Sequence, residues 1–281
     1  MRELFEYLSY PFVRYALIVG VLIALCASVL GVILVLKHFS FLGDGLSHVA
    51  FGAMAVAAVM GLSNNLLIVI PVVFASAIIL LYSSKSKKME GDLAVGLLAV
   101  GSLAIGYLLM NIFPSSSNIS ADVCTSLFGS TSILTLSKFQ VTFCIVLSIV
   151  VIVSLILFYN RIFAITFDED FTRASGLNTK LYNLVLAIII ASVIVLAMNL
   201  VGSLLISALV IFPAASSLRL FKSFKSVTIS SAIIGLLTSL FGIIVSIFIE
   251  APVGPMIVTF DILVFLCFYV VGLIKNRRSI K

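Results

Sequence analysis

Residues 13–36 read VRYALIVGVLIALCASVLGVILVL, an apolar run whose single charge is Arg14. About 20 consecutive apolar residues are enough for an α-helix to cross the hydrocarbon core of a bilayer. Similar runs follow, so that 62% of the 281 residues are hydrophobic and 10% are charged. A soluble domain is about half apolar and about a quarter charged. The sequence therefore predicts an all-α protein that crosses a membrane several times.

The apolar runs predict about nine spans in a single transmembrane domain that covers residues 1–281. The spans are expected at about 13–36, 45–61, 66–82, 92–112, 139–160, 183–200, 203–218, 227–249 and 256–274. Basic loops are assigned to the cytoplasm by the positive-inside rule. Successive loops alternate between the two sides of the membrane. If the lysine cluster at 83–88 is inside, the loops at 37–43, 160–182 and 219–225 and the C-terminus are also inside. Eight spans with the N-terminus inside is the alternative, because a half-crossing segment near residues 40–60 would change the count.

The second span opens with SFLGDGLSHVAFGA, residues 40–53, which sets Asp44 and His48 four residues apart. Residues at i and i+4 share a helix face, and an ionisable residue inside a membrane indicates a function by default. A carboxylate and an imidazole suit a borderline divalent ion such as zinc or manganese. A two-fold axis along the helix would supply a second pair, giving four ligands. The alternative is structural, with Asp44 as the N-cap of a helix that starts near Gly45.

A polar insert at about 161–182 separates the fifth and sixth spans. Within it, FDEDFTRASG at 167–176 predicts a short amphipathic helix. Asp168 or an adjacent acid can cap the N-terminus of this helix, and Gly176 can terminate it. The pattern fits an ordinary solvated loop and a docking element for a cytoplasmic partner equally well.

We interpret Pro213 and the remaining ionisable residues near apolar runs as structural or interfacial residues. Pro213 predicts a bend in the seventh span, with movement during gating as a lesser alternative. Asp261 lies inside the last span, Glu250 lies at its outer approach, and Asp122 lies in the outer stretch at 113–137, between the fourth and fifth spans. We interpret these three acids, and His38 at the end of the first span, as interfacial rather than as metal ligands. The four cysteines form no close pairs, so they do not predict a zinc knuckle.

Motifs for ATP hydrolysis and for hydrolytic catalysis are missing from the sequence. It contains neither G-x-x-x-x-G-K-[ST], nor H-E-x-x-H, nor G-x-S-x-G, so we do not expect this chain to hydrolyse ATP or to be an enzyme. The net charge of +6 lies in short loops, which is explained by membrane anchoring and does not predict nucleic-acid binding.

Three stretches, in order, resemble the membrane-spanning permeases of bacterial ABC importers for zinc, manganese and iron. They are FLGDGLSH at 41–48, FDEDFTRASG at 167–176, and the segment from VGSLL to PAA at 201–215. The similarity extends over nearly the whole chain. It implies the type II permease fold of vitamin B12 and metal importers. It also implies a multi-pass protein of the bacterial plasma membrane, surrounded by membrane lipid.

The resemblance further implies a homodimer, a separate cytoplasmic ATP-binding subunit and an extracellular metal-binding lipoprotein. Asp44 and His48 of both protomers would form a metal site on the translocation path, which acid pH would weaken. The implied contact with the ATPase consists of Asp168, Glu169, Asp170, Arg173, Ala174 and Gly176.

No permanently bound cofactor is implied. The transported ion would be Zn²⁺, Mn²⁺ or Fe²⁺, with zinc favoured because manganese prefers more oxygen ligands. The alternatives are a permease for a chelate (haem, a siderophore or cobalamin), a passive channel, and an intramembrane enzyme that uses Asp44 and His48 as acid and base.

Overall fold

The computed structural model describes residues 10–62, 66–83, 91–113, 136 and 138–279. Within these ranges the secondary structure is entirely α-helical. The helices are α1 Pro11–Leu36, α2 Leu42–Val59, α3 Leu66–Ser83, α4 Gly91–Ile112, α5 Lys138–Leu157, α6 Tyr159–Phe167, α7 Glu169–Ala174, α8 Thr179–Val201, α9 Ser203–Leu220, α10 Phe224–Ile249 and α11 Val253–Ser279.

Nine of these helices correspond to the nine predicted spans. In the described residues, seven helices are long and apolar enough to cross a membrane: α1, α2, α4, α5, α8, α10 and α11. Helices α3 and α9 contain shorter apolar segments, at 67–80 and 205–220. The prediction of an all-α protein with multiple membrane spans is confirmed.

The turn between α1 and α2 lies at the same end of the bundle as α6 and α7. The Lys37 ammonium donates a hydrogen bond to Asn183 Oδ1 in the second turn of α8, at 2.8 Å. Alternation over nine spans predicts this arrangement, whereas the eight-span alternative would put the α1–α2 turn at the opposite end. The assignment of this end to the cytoplasm stays a prediction.

Helix α1 is the centre of the bundle and packs against α5, α9 and α10. At Gly31 an added Cβ would lie 2.0 Å from the carbonyl oxygen of Val210 in α9. On another side of α1, the Ser231 hydroxyl of α10 donates to the Ser28 carbonyl at 2.8 Å. Small residues and hydroxyl bonds between helices are typical of membrane proteins, where lipid supplies no hydrophobic drive for helix association.

The glycines of α2 serve close packing against α4. A Cβ at Gly45 would lie 2.5 Å from Val95 Cγ1, and one at Gly52 would lie 2.8 Å from the Ser102 carbonyl oxygen. The helix runs unbroken from Leu42 to Val59. Of the two roles that the glycines permit, close contact or irregular backbone, the structure shows the first.

The insert between α5 and α8 contains one helix more than predicted. Helix α7 matches the expected short helix, but α6 precedes it where the sequence suggested only polar chain. The aromatic rings of Tyr159, Phe163 and Phe167 surround Phe224 at the start of α10, with ring centroids 5.4, 5.4 and 6.1 Å from it. This contact holds α6 against the bundle and explains why the segment is helical.

Candidate functional site

Asp44 lies in the first turn of α2, and His48 lies one turn further along. The helix begins at Leu42, and no side chain caps its N-terminus. The alternative interpretation of Asp44 as an N-cap residue is therefore wrong. The first turn is a favourable place for a carboxylate, because the positive end of the helix dipole stabilises negative charge there.

The two side chains converge, as their spacing predicts, and a third joins them from α9. His48 Nε2 lies 3.5 Å from Asp44 Oδ2. The Ser207 hydroxyl donates a hydrogen bond to Asp44 Oδ1 at 3.1 Å. Ser207 is 163 residues from Asp44 in the chain, so no local spacing could have identified it.

The pair lies well away from the end of the bundle at which α9 ends. Ser207 lies 13 residues before Leu220, the last residue of α9, which has Arg219 in its last turn. This separation is about 20 Å along the helix axis. Alternation of the spans alone would place Asp44 close to that end. This position does not need a broken helix, because α2 is continuous from Leu42 to Val59.

In the described part of the chain, Asp44 and His48 form a pair and not a larger cluster of metal-ligating side chains. The side chain of Asp44 is 40% exposed and that of His48 is 18% exposed, and the buried His48 Nδ1 has no hydrogen-bond partner among the described residues. Within the described ranges, no group of three or more His, Cys, Asp and Glu side chains occurs that could hold a metal ion. Structural zinc sites have four ligands, so this pair alone does not make a structural zinc site.

Asp261 is separate from this pair, and its interpretation as an interfacial residue is wrong. It is 1% exposed in α11, and neither carboxylate oxygen has a hydrogen-bond partner among the described residues. The Thr238 hydroxyl of α10 lies close to this carboxyl. That hydroxyl donates instead to the carbonyls of Ile234 and Gly235, at 3.0 and 3.3 Å. The carboxyl is therefore buried beside a hydroxyl group but without a hydrogen bond to any residue that the structure describes.

The other residues singled out in the sequence lie apart from the pair or within its helices. His38 and Glu250 are exposed and have left-handed backbone conformations, with φ of 59° and 56°. Pro213 lies inside α9, and a gating role for it stays a prediction. Asp122 lies outside the described residues.

Helix α7 is a short helix closed at both ends. Asp168 Oδ1 accepts a hydrogen bond from the Phe171 N–H at 2.8 Å, which confirms the predicted N-cap. Gly176, with φ of 88°, follows the last turn and donates its N–H to the Arg173 carbonyl at 3.1 Å, the predicted termination. The side chain of Asp170 is 93% exposed and Phe171 is 71% exposed. The helix therefore presents charged and aromatic groups outward.

The fold defines a polytopic helical membrane protein with an ionisable pair, Asp44 and His48, among its helices. The chain matches the model of the ABC 3 transport family over residues 9–272. It therefore belongs to the ABC 3 transport family, whose members are ABC transporter permeases.

Relatives and a solved structure are similar over nearly the full length. The manganese import system permease protein ScaB of Streptococcus gordonii is 28% identical, covering 97% of this chain and 95% of the relative. The high-affinity zinc uptake system membrane protein ZnuB of Haemophilus influenzae is 27% identical, covering 94% and 97%. The structure of PsaBC from Streptococcus pneumoniae in complex with Fab matches with a TM-score of 0.80 and 26% identity, covering 95% of both chains.

Proposed function

We propose that this chain is the permease of an ATP-driven importer that moves a divalent metal ion into the cytoplasm. Zinc is the favoured ion, followed by manganese or iron. The observation that carries the proposal is the convergence of Asp44, His48 and Ser207 within a bundle of apolar helices. Relatives named for manganese import and for zinc uptake support the same class of substrate.

The functional unit is a homodimer in which two copies of the pair meet at the two-fold axis. Each protomer offers one carboxylate and one imidazole, so two protomers supply four side chains. The Ser207 hydroxyl orients the carboxylate as a neighbouring group, without being a ligand. A site shared between protomers and partly open to water binds the ion transiently, which transport requires because the ion must leave.

Partners supply energy and substrate. ATP is hydrolysed by a separate cytoplasmic subunit that contacts α7, whose capped ends and exposed charges suit a docking element. An extracellular metal-binding lipoprotein delivers the ion to the opposite end of the bundle. Movement of the ATPase passes through α7 and α6 to α10, because the aromatic cluster around Phe224 joins α6 to α10.

The choice of metal rests on donor chemistry. The manganese and zinc relatives match this chain at 28% and 27% identity, a difference too small to rank the two ions. An imidazole with a carboxylate suits zinc, while manganese prefers more oxygen ligands. Uptake measured with each metal in competition against the others tests this order.

The test of the site is metal uptake by cells that carry Asp44→Ala or His48→Ala, with permease abundance measured in the same membranes. Each substitution removes half of a protomer's ligands, so we expect uptake to fall at least tenfold. Ser47→Ala is the matched control, because the buried Ser47 hydroxyl donates a hydrogen bond within α2, to the Gly43 carbonyl at 2.7 Å. Unchanged uptake in both ligand variants would contradict the metal site. Uptake that persists without the ATPase subunit would indicate a passive channel instead.

A further inference from the structure

An apolar groove of about 240 Å³ opens between α1, α5 and α10, with α6 across one end. Its lining includes Val29 and Ile33 of α1, Ile152 of α5, Tyr159 of α6, and Thr228 and Ala232 of α10. From Phe224 to Ala232 the α10 wall rises by eight residues, about 12 Å along the helix axis. The groove therefore has the form of a channel that is closed by α6 and extends into the apolar part of the bundle.

The groove faces away from the Asp44 site. Gly31 of α1 contacts Val210 of α9, and Val210 also lies 3.7 Å from the position of a Cβ on Gly43, next to Asp44. Val29 and Ile33 stand two residues before and after Gly31, a rotation of about 200° around the helix in either direction. They therefore point to the opposite side of α1. In a dimer whose axis passes the Asp44 pair, the groove is turned away from the second copy and toward lipid.

Two lysines lie at the α6 end of the groove. Lys225 precedes Thr228 and Ile229 by three and four residues, so it shares the helix face that lines the groove. Lys222 lies in the linker just before α10, and both lysines are exposed. Neither makes a hydrogen bond or an ion pair with another described residue. An apolar channel that ends at unpaired positive charge is complementary to an acyl chain that carries an anionic head group.

We propose that this groove binds an anionic phospholipid, with one acyl chain along α10 and the phosphate at Lys225 and Lys222. A neutral lipid would gain the apolar contacts but no net attraction at the lysines, so the site selects for anionic lipid. The bound lipid would fill the space beside Tyr159 and Phe224, which hold α6. The assignment to the cytoplasmic leaflet rests on the proposed orientation of the permease, whereas the groove and its charge do not.

The experiment is native mass spectrometry of the purified permease with its ATPase subunit, incubated with phosphatidylglycerol or with phosphatidylcholine. We expect phosphatidylglycerol to be retained about tenfold more than phosphatidylcholine. The double substitution Lys222→Gln/Lys225→Gln should reduce its retention to the level of phosphatidylcholine. Lys138→Gln is compared with Lys222→Gln and Lys225→Gln made singly, because each of these substitutions removes one positive charge and Lys138 is exposed at the far end of α5.

A second variant tests the acyl-chain part of the site. Ala232→Phe places a ring in the groove and should reduce retention of both lipids, while the thermal unfolding temperature without added lipid shows that the protein folds. Equal retention of the two lipids, or an equal loss in Lys138→Gln, would overturn the proposal. It would also be overturned if Ala232→Phe changed the oligomeric state and left lipid retention unchanged, because the groove would then hold a second copy. None of these outcomes depends on metal transport, so the proposed function stands or falls separately.

Discussion

Replacing Ser207 with alanine tests whether α9 positions the carboxylate of the metal site. The substitution removes the hydroxyl that donates to Asp44 Oδ1 at 3.1 Å. A hydrogen bond to a charged group is worth about 1.5–3 kcal/mol. Asp44 is 40% exposed, so water replaces part of that bond, and about 1 kcal/mol of the orienting interaction remains to be lost. At about 1.4 kcal/mol per factor of ten, Ser207→Ala should weaken metal binding about fivefold.

Equilibrium binding of Zn²⁺ and of Mn²⁺ to the purified permease, without its binding protein, measures this effect directly. The binding protein is left out because its own affinity for metal would otherwise mask a change in the permease. Ser207→Thr retains a hydroxyl and should recover most of the lost affinity.

The matched control is Ser216→Ala, also in α9. Ser216 is fully buried, and its hydroxyl bonds within the helix to the Phe212 carbonyl at 2.7 Å. An unchanged dissociation constant in Ser207→Ala would refute the positioning role. An equal change in Ser216→Ala would show that the effect comes from α9 packing and not from the bond to Asp44.

Three further predictions concern the packing of glycines, the buried Asp261 and helix α7. Gly52→Ala forces a Cβ to 2.8 Å from the Ser102 carbonyl and should cost about 1–3 kcal/mol of stability. Gly96→Ala in α4 meets nothing within 4 Å and should stabilise by about 0.5–1 kcal/mol, as thermal unfolding in detergent would show. Asp261→Leu removes a buried carboxyl that has no hydrogen-bond partner among the described residues, and it should raise the unfolding temperature while metal uptake is retained. A lower unfolding temperature or a loss of uptake would contradict this reasoning. Asp168→Ala removes the N-cap of α7, which costs that helix about 1 kcal/mol, and should reduce metal-stimulated ATP hydrolysis. Asp168→Asn keeps the cap and should keep the activity. An equal loss of activity in both variants would mean that the carboxylate charge, and not the cap, matters.

The residues that local rules describe well behaved as predicted. A run such as residues 13–36 must be helical in lipid, because only a helix satisfies its backbone hydrogen bonds internally. Two other features also follow from local rules. The convergence of Asp44 and His48 follows from 3.6 residues per turn, and the cap of α7 at Asp168 depends on its immediate neighbours.

Other features depend on segments that are distant in the chain. Helix α6 was predicted as part of a polar insert, and its contact with Phe224 joins residues that are some 60 positions apart in the chain. Asp261 looked interfacial because hydropathy gives the depth of a residue only along its own helix. Its burial depends on how α11 packs against α9 and α10.

By itself, then, the sequence determined the membrane class, the all-α fold with several spans, the i, i+4 pair of Asp44 and His48, and the cap of α7. These are set by hydropathy and by contacts within one helical turn. Only the tertiary structure decided that Ser207 bonds Asp44, that the pair lies about 20 Å of helix from the basic end of α9, and that a groove opens on the far side of α1. Those features depend on which helices are neighbours in the bundle. Close packing at positions such as Gly31 and Gly45 determines these neighbours. The packing energy is spread over many weak contacts, and no short stretch of sequence contains it.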